Sequence, residues 1–117
     1  MIHSISAVAL GTHDMATAVA FYRVVGMKLL RGGEDAGFTT FHVGSGYLNL
    51  TLQPDTRKWC WWGRIIFYDS EVDALHARFI SAGYTSDFAP RDAGWGERYF
   101  HITAPDGHEL SFAWPLG

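Results

Sequence analysis

An α+β fold built from two β-α-β-β-β modules is what this sequence predicts. The first observation behind it is a diverged internal repeat. Slid over itself by about 57 positions, the chain places Ala7–Met27 on Arg64–Tyr84 without a gap. The second is a change of apolar period within each copy, from two to between three and four and back again. The third is punctuation by glycine at matching places, Gly26 and Gly83. Two copies of one unit are expected to face each other about a pseudo-two-fold axis, so that equivalent positions converge on a shared cleft.

The first copy opens with a strand over about residues 3–10, whose apolar part is Ala7-Val8-Ala9-Leu10. A helix over about 13–25 follows. It sets Met15, Ala18, Val19, Tyr22 and Val25 on one face. Thr12 or Asp14 is its candidate cap, and Gly26 suits the left-handed position past its end. Strands are predicted over about 27–31, 37–43 and 47–53, separated by Gly32-Gly33 and Gly44-Ser45-Gly46. Tyr47-Leu48-Asn49-Leu50-Thr51-Leu52 alternates strictly, which marks a half-buried strand with its leucines on one face.

Residues 54–61 connect the copies. The second copy has a strand over about 62–69 and a helix over about 71–82, with Ser70 and Asp73 as a candidate capping box. Val72, Leu75, Phe79 and Ala82 form the expected buried face of that helix. Strands are predicted over about 84–88, 97–103 and 108–114, the last two joined by a tight turn at Pro105-Asp106-Gly107. Alternation puts Tyr99 and His101 on one face, opposite Phe100 and Ile102. It likewise sets Glu109, Ser111 and Ala113 against Leu110, Phe112 and Trp114.

Composition narrows the function. At 117 residues the chain fits a single domain, with module 1 about 1–57 and module 2 about 58–117. A net charge of −3, with no Lys/Arg run longer than Arg57-Lys58, argues against a nucleic-acid partner. No apolar run reaches the roughly 18 residues that would cross a membrane. The start Met1-Ile2-His3-Ser4 lacks the pattern of a signal peptide, and the lone Cys60 cannot form an internal disulfide; a cytoplasmic location is expected. Cys60 has no neighbouring His or Lys pattern that would activate it as a nucleophile.

The layout resembles the vicinal oxygen chelate superfamily, which groups glyoxalase I, extradiol dioxygenases, fosfomycin resistance enzymes and bleomycin resistance proteins. The most specific segments are Trp95-Gly96-Glu97-Arg98-Tyr99-Phe100 and Pro105-Asp106-Gly107-His108-Glu109-Leu110, which resemble the bleomycin-resistance-like branch. Asp73-Ala74-Leu75 and Ala20-Phe21-Tyr22 match common family helices. The resemblance implies a paired, cup-shaped mixed sheet with helices outside, and a dimer at whose interface small members often place their ligand cleft. Metal-using members take ligands from the first and last strands of the copies. Those positions fall here on Ala7, Arg64, Asn49 and Ser111. A methyl group, a cation and two neutral oxygens make a poor divalent site, so no metal and no cofactor are expected there.

The remaining candidates are organic-ligand contacts. Arg64 either pairs with a carboxylate such as Glu109 or clamps an anionic or carbonyl-bearing ligand. Trp59, Trp61, Trp62 and Trp95 offer flat faces to a planar ligand, or else to a dimer partner. The candidate ligand-binding set is Arg64, Trp62, Trp95, Tyr99, His101, Asn49, Ser111 and Glu109. The leading expectation is a metal-free homodimeric protein that binds a small aromatic or heterocyclic molecule. One alternative is a lyase or dioxygenase with displaced residues, for which His101 and Glu109 are the candidate metal or acid–base groups. Another is a structural module whose cup is filled by side chains.

Overall fold

The computed structural model of the protein describes residues 1–60 and 62–117. The chain divides into two compact units, Met1–Cys60 and Trp61–Gly117.

In the first unit, β1 (Ala7–Thr12) leads into α1 (Met15–Val25), followed by β2 (Lys28–Arg31), β3 (Phe38–Val43) and β4 (Gly46–Leu52). The sheet order is β1-β4-β3-β2, with β1 and β4 parallel and the other pairs antiparallel. The second unit repeats this plan. It has β5 (Ile65–Tyr68), α2 (Val72–Ser81), β6 (Arg91–Asp92), β7 (Glu97–Thr103) and β8 (Glu109–Pro115), ordered β5-β8-β7-β6. The α+β assignment and the two β-α-β-β-β modules are therefore present, each as a four-stranded mixed sheet carrying one helix.

α1 starts where expected. Asp14, in extended backbone, accepts from the Thr17 amide at 3.1 Å and from the Thr17 hydroxyl at 2.8 Å. Those bonds hold the Asp14 carboxyl below its ordinary range. Gly26 ends the helix at φ 93°. α2 begins differently. The capping box at Ser70 and Asp73 does not form; instead Asp69 Oδ1 accepts from the Glu71 amide at 2.8 Å, while Asp73 pairs with Arg98. Its end is a Schellman motif: Gly83 at φ 94° donates to Ile80, and Tyr84 donates back to Phe79.

The buried faces follow the periodicity with a few shifts. α1 buries Met15, Ala18, Val19 and Tyr22 as expected, and also Phe21, whereas Val25 is only half-buried. A helix lying flat on a sheet covers a wider arc than a single stripe. α2 buries Val72, Leu75 and Phe79, but Ala82 lies past its last turn and is exposed. Leu48 and Leu50 sit under α1, while Leu52, at the strand end, is exposed. In the second unit Phe100, Ile102, Leu110 and Phe112 are fully covered, and Trp114 at the strand end is not.

Two strand expectations are overturned. Residues 84–88 form no strand: Asp87 makes one backbone bond to His101, and Ser86 turns its hydroxyl to the Phe88 carbonyl, so the chain reaches the sheet edge only at β6. β1 begins at Ala7, not at residue 3, and continues through Gly11 and Thr12, which pair with Thr51 and Leu52. Both hairpin turns behave as read. Gly44-Ser45 closes β3–β4 with positive φ at its first residue only, as in a type II′ turn. Gly107 donates to Ala104 across Pro105-Asp106.

Candidate functional site

Each sheet has one face under its helix and one without a helix, called its open face, although Tyr99, Ser111 and Ala113 on that of the second unit are buried. In the second unit the open face is built by alternation from β5, β8 and β7, which bring Ile66, Ser111 and His101 into one row. Ser111 Oγ lies 2.6 Å from His101 Nδ1, and the two share a hydrogen bond. Arg64 Nη2 pairs with Glu109 Oε1 at 3.2 Å, and Arg64 Nη1 reaches the Leu110 carbonyl at 3.4 Å. The ion pair read from the sequence is thus formed, with the Arg64 side chain still 20% exposed.

Rings flank this polar row. Phe88, Tyr99 and His101 contact one another at centroid distances of 5.1 to 5.3 Å, and Trp95 leans on Tyr99 at 5.1 Å. The Arg91 guanidinium lies over Phe88 at 3.8 Å and donates to the Tyr99 hydroxyl from Nε and Nη2. Trp95 is 68% exposed and fixed by its indole N–H, which donates to Glu97 at 2.8 Å. Glu97 also accepts from Tyr68. Trp62 is 83% exposed and joins none of these contacts. Trp61 lies outside the described residues, and Trp59 stacks on His13 at 4.3 Å within the first unit.

Phe88 and Arg91 were missed by sequence reasoning. Phe88 fell at the end of the strand expected over about 84–88 and Arg91 in the connection after it, and neither was read as a site residue.

Burial lowers the His101 pKa first, and the Arg64 and Arg91 cations push it further down, against the opposing pull of Asp87 and Glu109. The imidazole is therefore neutral at pH 7. An NMR titration should give a midpoint below 6.5. The folded form then binds fewer protons than the unfolded chain, so folding stability should fall as pH drops below about 6.5 and level off below the folded pKa. A midpoint above 6.5 would contradict this burial.

In the first unit the row equivalent to Ile66, Ser111 and His101 is Ala9, Asn49 and Thr40, set by the same strand pairings. Thr40 Oγ1 donates to Asn49 Oδ1 at 2.8 Å. The two units thus carry a cross-strand polar pair at the same place, Thr40–Asn49 in one and His101–Ser111 in the other. A β-bulge after Leu29 brings Arg31 opposite Thr40 on this face. Around them lies an open depression of about 460 Å³. A larger one, about 640 Å³, lies between α1 and the Gly32–Ala36 turn, on the other side of the sheet.

Divalent-ion chemistry can be tested on these donors. Ala7 offers a methyl group, the Asn49 oxygen and the Ser111 hydroxyl are engaged by neighbours, and Arg64 is a cation already paired. No group of three or more His, Cys, Asp or Glu residues that could hold a metal ion occurs among the described residues. The residues present do not fit the superfamily's metal.

The family model for the Glyoxalase/Bleomycin resistance protein/Dioxygenase superfamily matches residues 4–112, and the chain belongs to that superfamily. Among solved structures it is similar to the lactoylglutathione lyase from Agrobacterium tumefaciens, with 22% identity, 97% of this chain and 94% of that chain covered, and a TM-score of 0.76. TioX from Micromonospora sp. ML1 is 25% identical, with 97% and 100% covered and a TM-score of 0.76. A glyoxalase/bleomycin resistance protein/dioxygenase from Nocardioides is 21% identical, with 99% and 85% covered and a TM-score of 0.73. No curated protein sequence matches the chain significantly. No helix among the described residues is long and apolar enough to cross a membrane.

Proposed function

We propose that this chain is a binding protein of the superfamily, holding a small aromatic or heterocyclic molecule on its open sheet faces without a divalent ion. The observation that carries this reading is the chemistry at Ala7, Asn49, Arg64 and Ser111, where the polar groups are tied to Thr40, Glu109 and His101. The exposed rings of Trp95, Phe38 and Tyr47 support it, because flat apolar faces beside a few polar groups are what small-molecule sites require. A homodimer and a cytoplasmic location belong to the same proposal.

Two titrations test it. Calorimetry with Ni²⁺, Mn²⁺, Zn²⁺ and Fe²⁺ should show no stoichiometric binding. Amide NMR with a panel of neutral and charged heterocycles should move resonances on an open face. Tight binding of one ion per chain would sink the idea. Sedimentation should give twice the chain mass.

The neutral imidazole beside Ser111 favours one second reading, general acid–base catalysis by His101 with Glu109 nearby. In that case His101→Ala would abolish turnover of a dicarbonyl or catechol substrate while leaving binding intact.

A further inference from the structure

The depression on the first unit's open face has a composition that selects a ligand class. Its volume of about 460 Å³ lies within the range of small-molecule sites, roughly 300–1,000 Å³. Arg31 is the only charged residue in its lining. Its guanidinium has neither an ion-pair nor a hydrogen-bond partner among the described residues, in contrast to those of Arg64 and Arg98 in the other unit. Asn49 spends its oxygen on Thr40, which leaves its amide N–H groups without an acceptor among the described residues. The site therefore presents donors: a forked guanidinium and an amide. Beside these donors and the Ser6 and Thr40 hydroxyls stand Phe38, Tyr47 and Leu30, each between 43% and 47% exposed, with Ala7 too small to crowd the space.

We propose that this depression binds an aromatic carboxylate. The ring lies against Phe38 and Tyr47, the carboxylate takes the Arg31 fork, and the Asn49 amide donates to a second acceptor on the ligand. An uncharged ring would keep the stacking and lose the charge-assisted bonds. An aliphatic carboxylate would keep the charge and lose the stacking. This assignment rests on the binding function proposed above and names the ligand class for one of its faces.

The test is an NMR titration of the full chain with benzoate and with its uncharged counterpart, benzamide. Benzoate should shift the Asn49 side-chain amide pair and the backbone amides of Arg31, Phe38 and Tyr47, with roughly tenfold tighter binding than benzamide. Arg31→Gln should remove that preference, and the exposed nature of Arg31 means the variant should fold normally. Lys58→Gln makes the same charge change at an exposed residue outside the lining and should leave benzoate binding unaltered. Asn49→Ala should weaken both probes severalfold. Equal affinity for the two probes, a benzoate preference that survives Arg31→Gln, or benzoate shifts confined to the second unit would each overturn the assignment while leaving the broader binding function standing. If neither probe moves any residue on either open face, the aromatic-carboxylate assignment falls, while the heterocycle panel above decides the broader binding function.

Discussion

Phe112→Ala should destabilise the second unit by about 3–5 kcal/mol, the range for removing a buried aromatic side chain from a core. Phe112 is fully buried and packs against three other rings: Phe67 at 5.4 Å, Phe100 at 5.6 Å and Phe79 at 5.8 Å. It therefore ties the edge strand β5, the inner strand β7 and the helix α2 to one point. Alanine would leave a cavity that none of these can fill, because each is held in place by its own strand or helix. Phe112→Leu keeps most of the volume and should lose about 1–2 kcal/mol. Urea denaturation of the three proteins checks this. A loss below about 1 kcal/mol for alanine would mean the ring cluster does not hold the unit together. Ser111 precedes Phe112 on the same strand and points the other way, so a shifted β8 would also move the His101 hydrogen bond.

Gly32→Ala is expected to lose about 3 kcal/mol and to weaken benzoate binding at the Arg31 site. Gly32 adopts φ 81°, a region in which a side chain is strained. A Cβ there would meet the Phe38 carbonyl oxygen at 2.2 Å and the Thr39 Cα at 2.9 Å, both backbone atoms that cannot swing aside. The neighbouring glycine is pinned as well, since Thr39 Oγ1 receives the Gly33 amide at 3.0 Å and donates to its carbonyl at 3.2 Å. Relief of the clash must push β2 from β3, the pair that sets Arg31 beside Phe38. Gly44→Ala provides the contrast. Gly44 also has positive φ, but its Cβ would meet open space, so only the backbone strain of about 1–2 kcal/mol applies. Equal melting points for the two variants would refute the clash.

Much of this architecture was legible in the sequence because it rests on local rules. The repeat located both modules, Gly26 and Gly83 marked both helix ends, and strict alternation assigned the faces of β7 and β8. The Arg64–Glu109 pair was legible for a related reason: a cation facing a half-apolar sheet needs a partner, and one carboxylate was in reach.

What escaped was decided by long-range geometry. Tyr84 to Phe88 has the composition of a strand, yet Ser86 spends its hydroxyl on the Phe88 carbonyl and on His76, and the sheet edge forms only further on, at Arg91. Arg31 was invisible as a site residue because periodicity places it with Leu29, and only the bulge turns it to the open face. Phe88 was read as part of a strand and Arg91 lay in no predicted element, so their stacking, which arises from a loop that folds back over Tyr99, went unseen.

The matched polar pairs, Thr40–Asn49 and His101–Ser111, have a consequence for how substitutions combine. A carboxylate at Asn49 would still accept from the Thr40 hydroxyl, but at either Asn49 or Ser111 it would place a new charge beside a neighbour that now bonds a neutral group. Neighbouring residues of this kind couple strongly, so the effects of substituting the two members of a pair should not add.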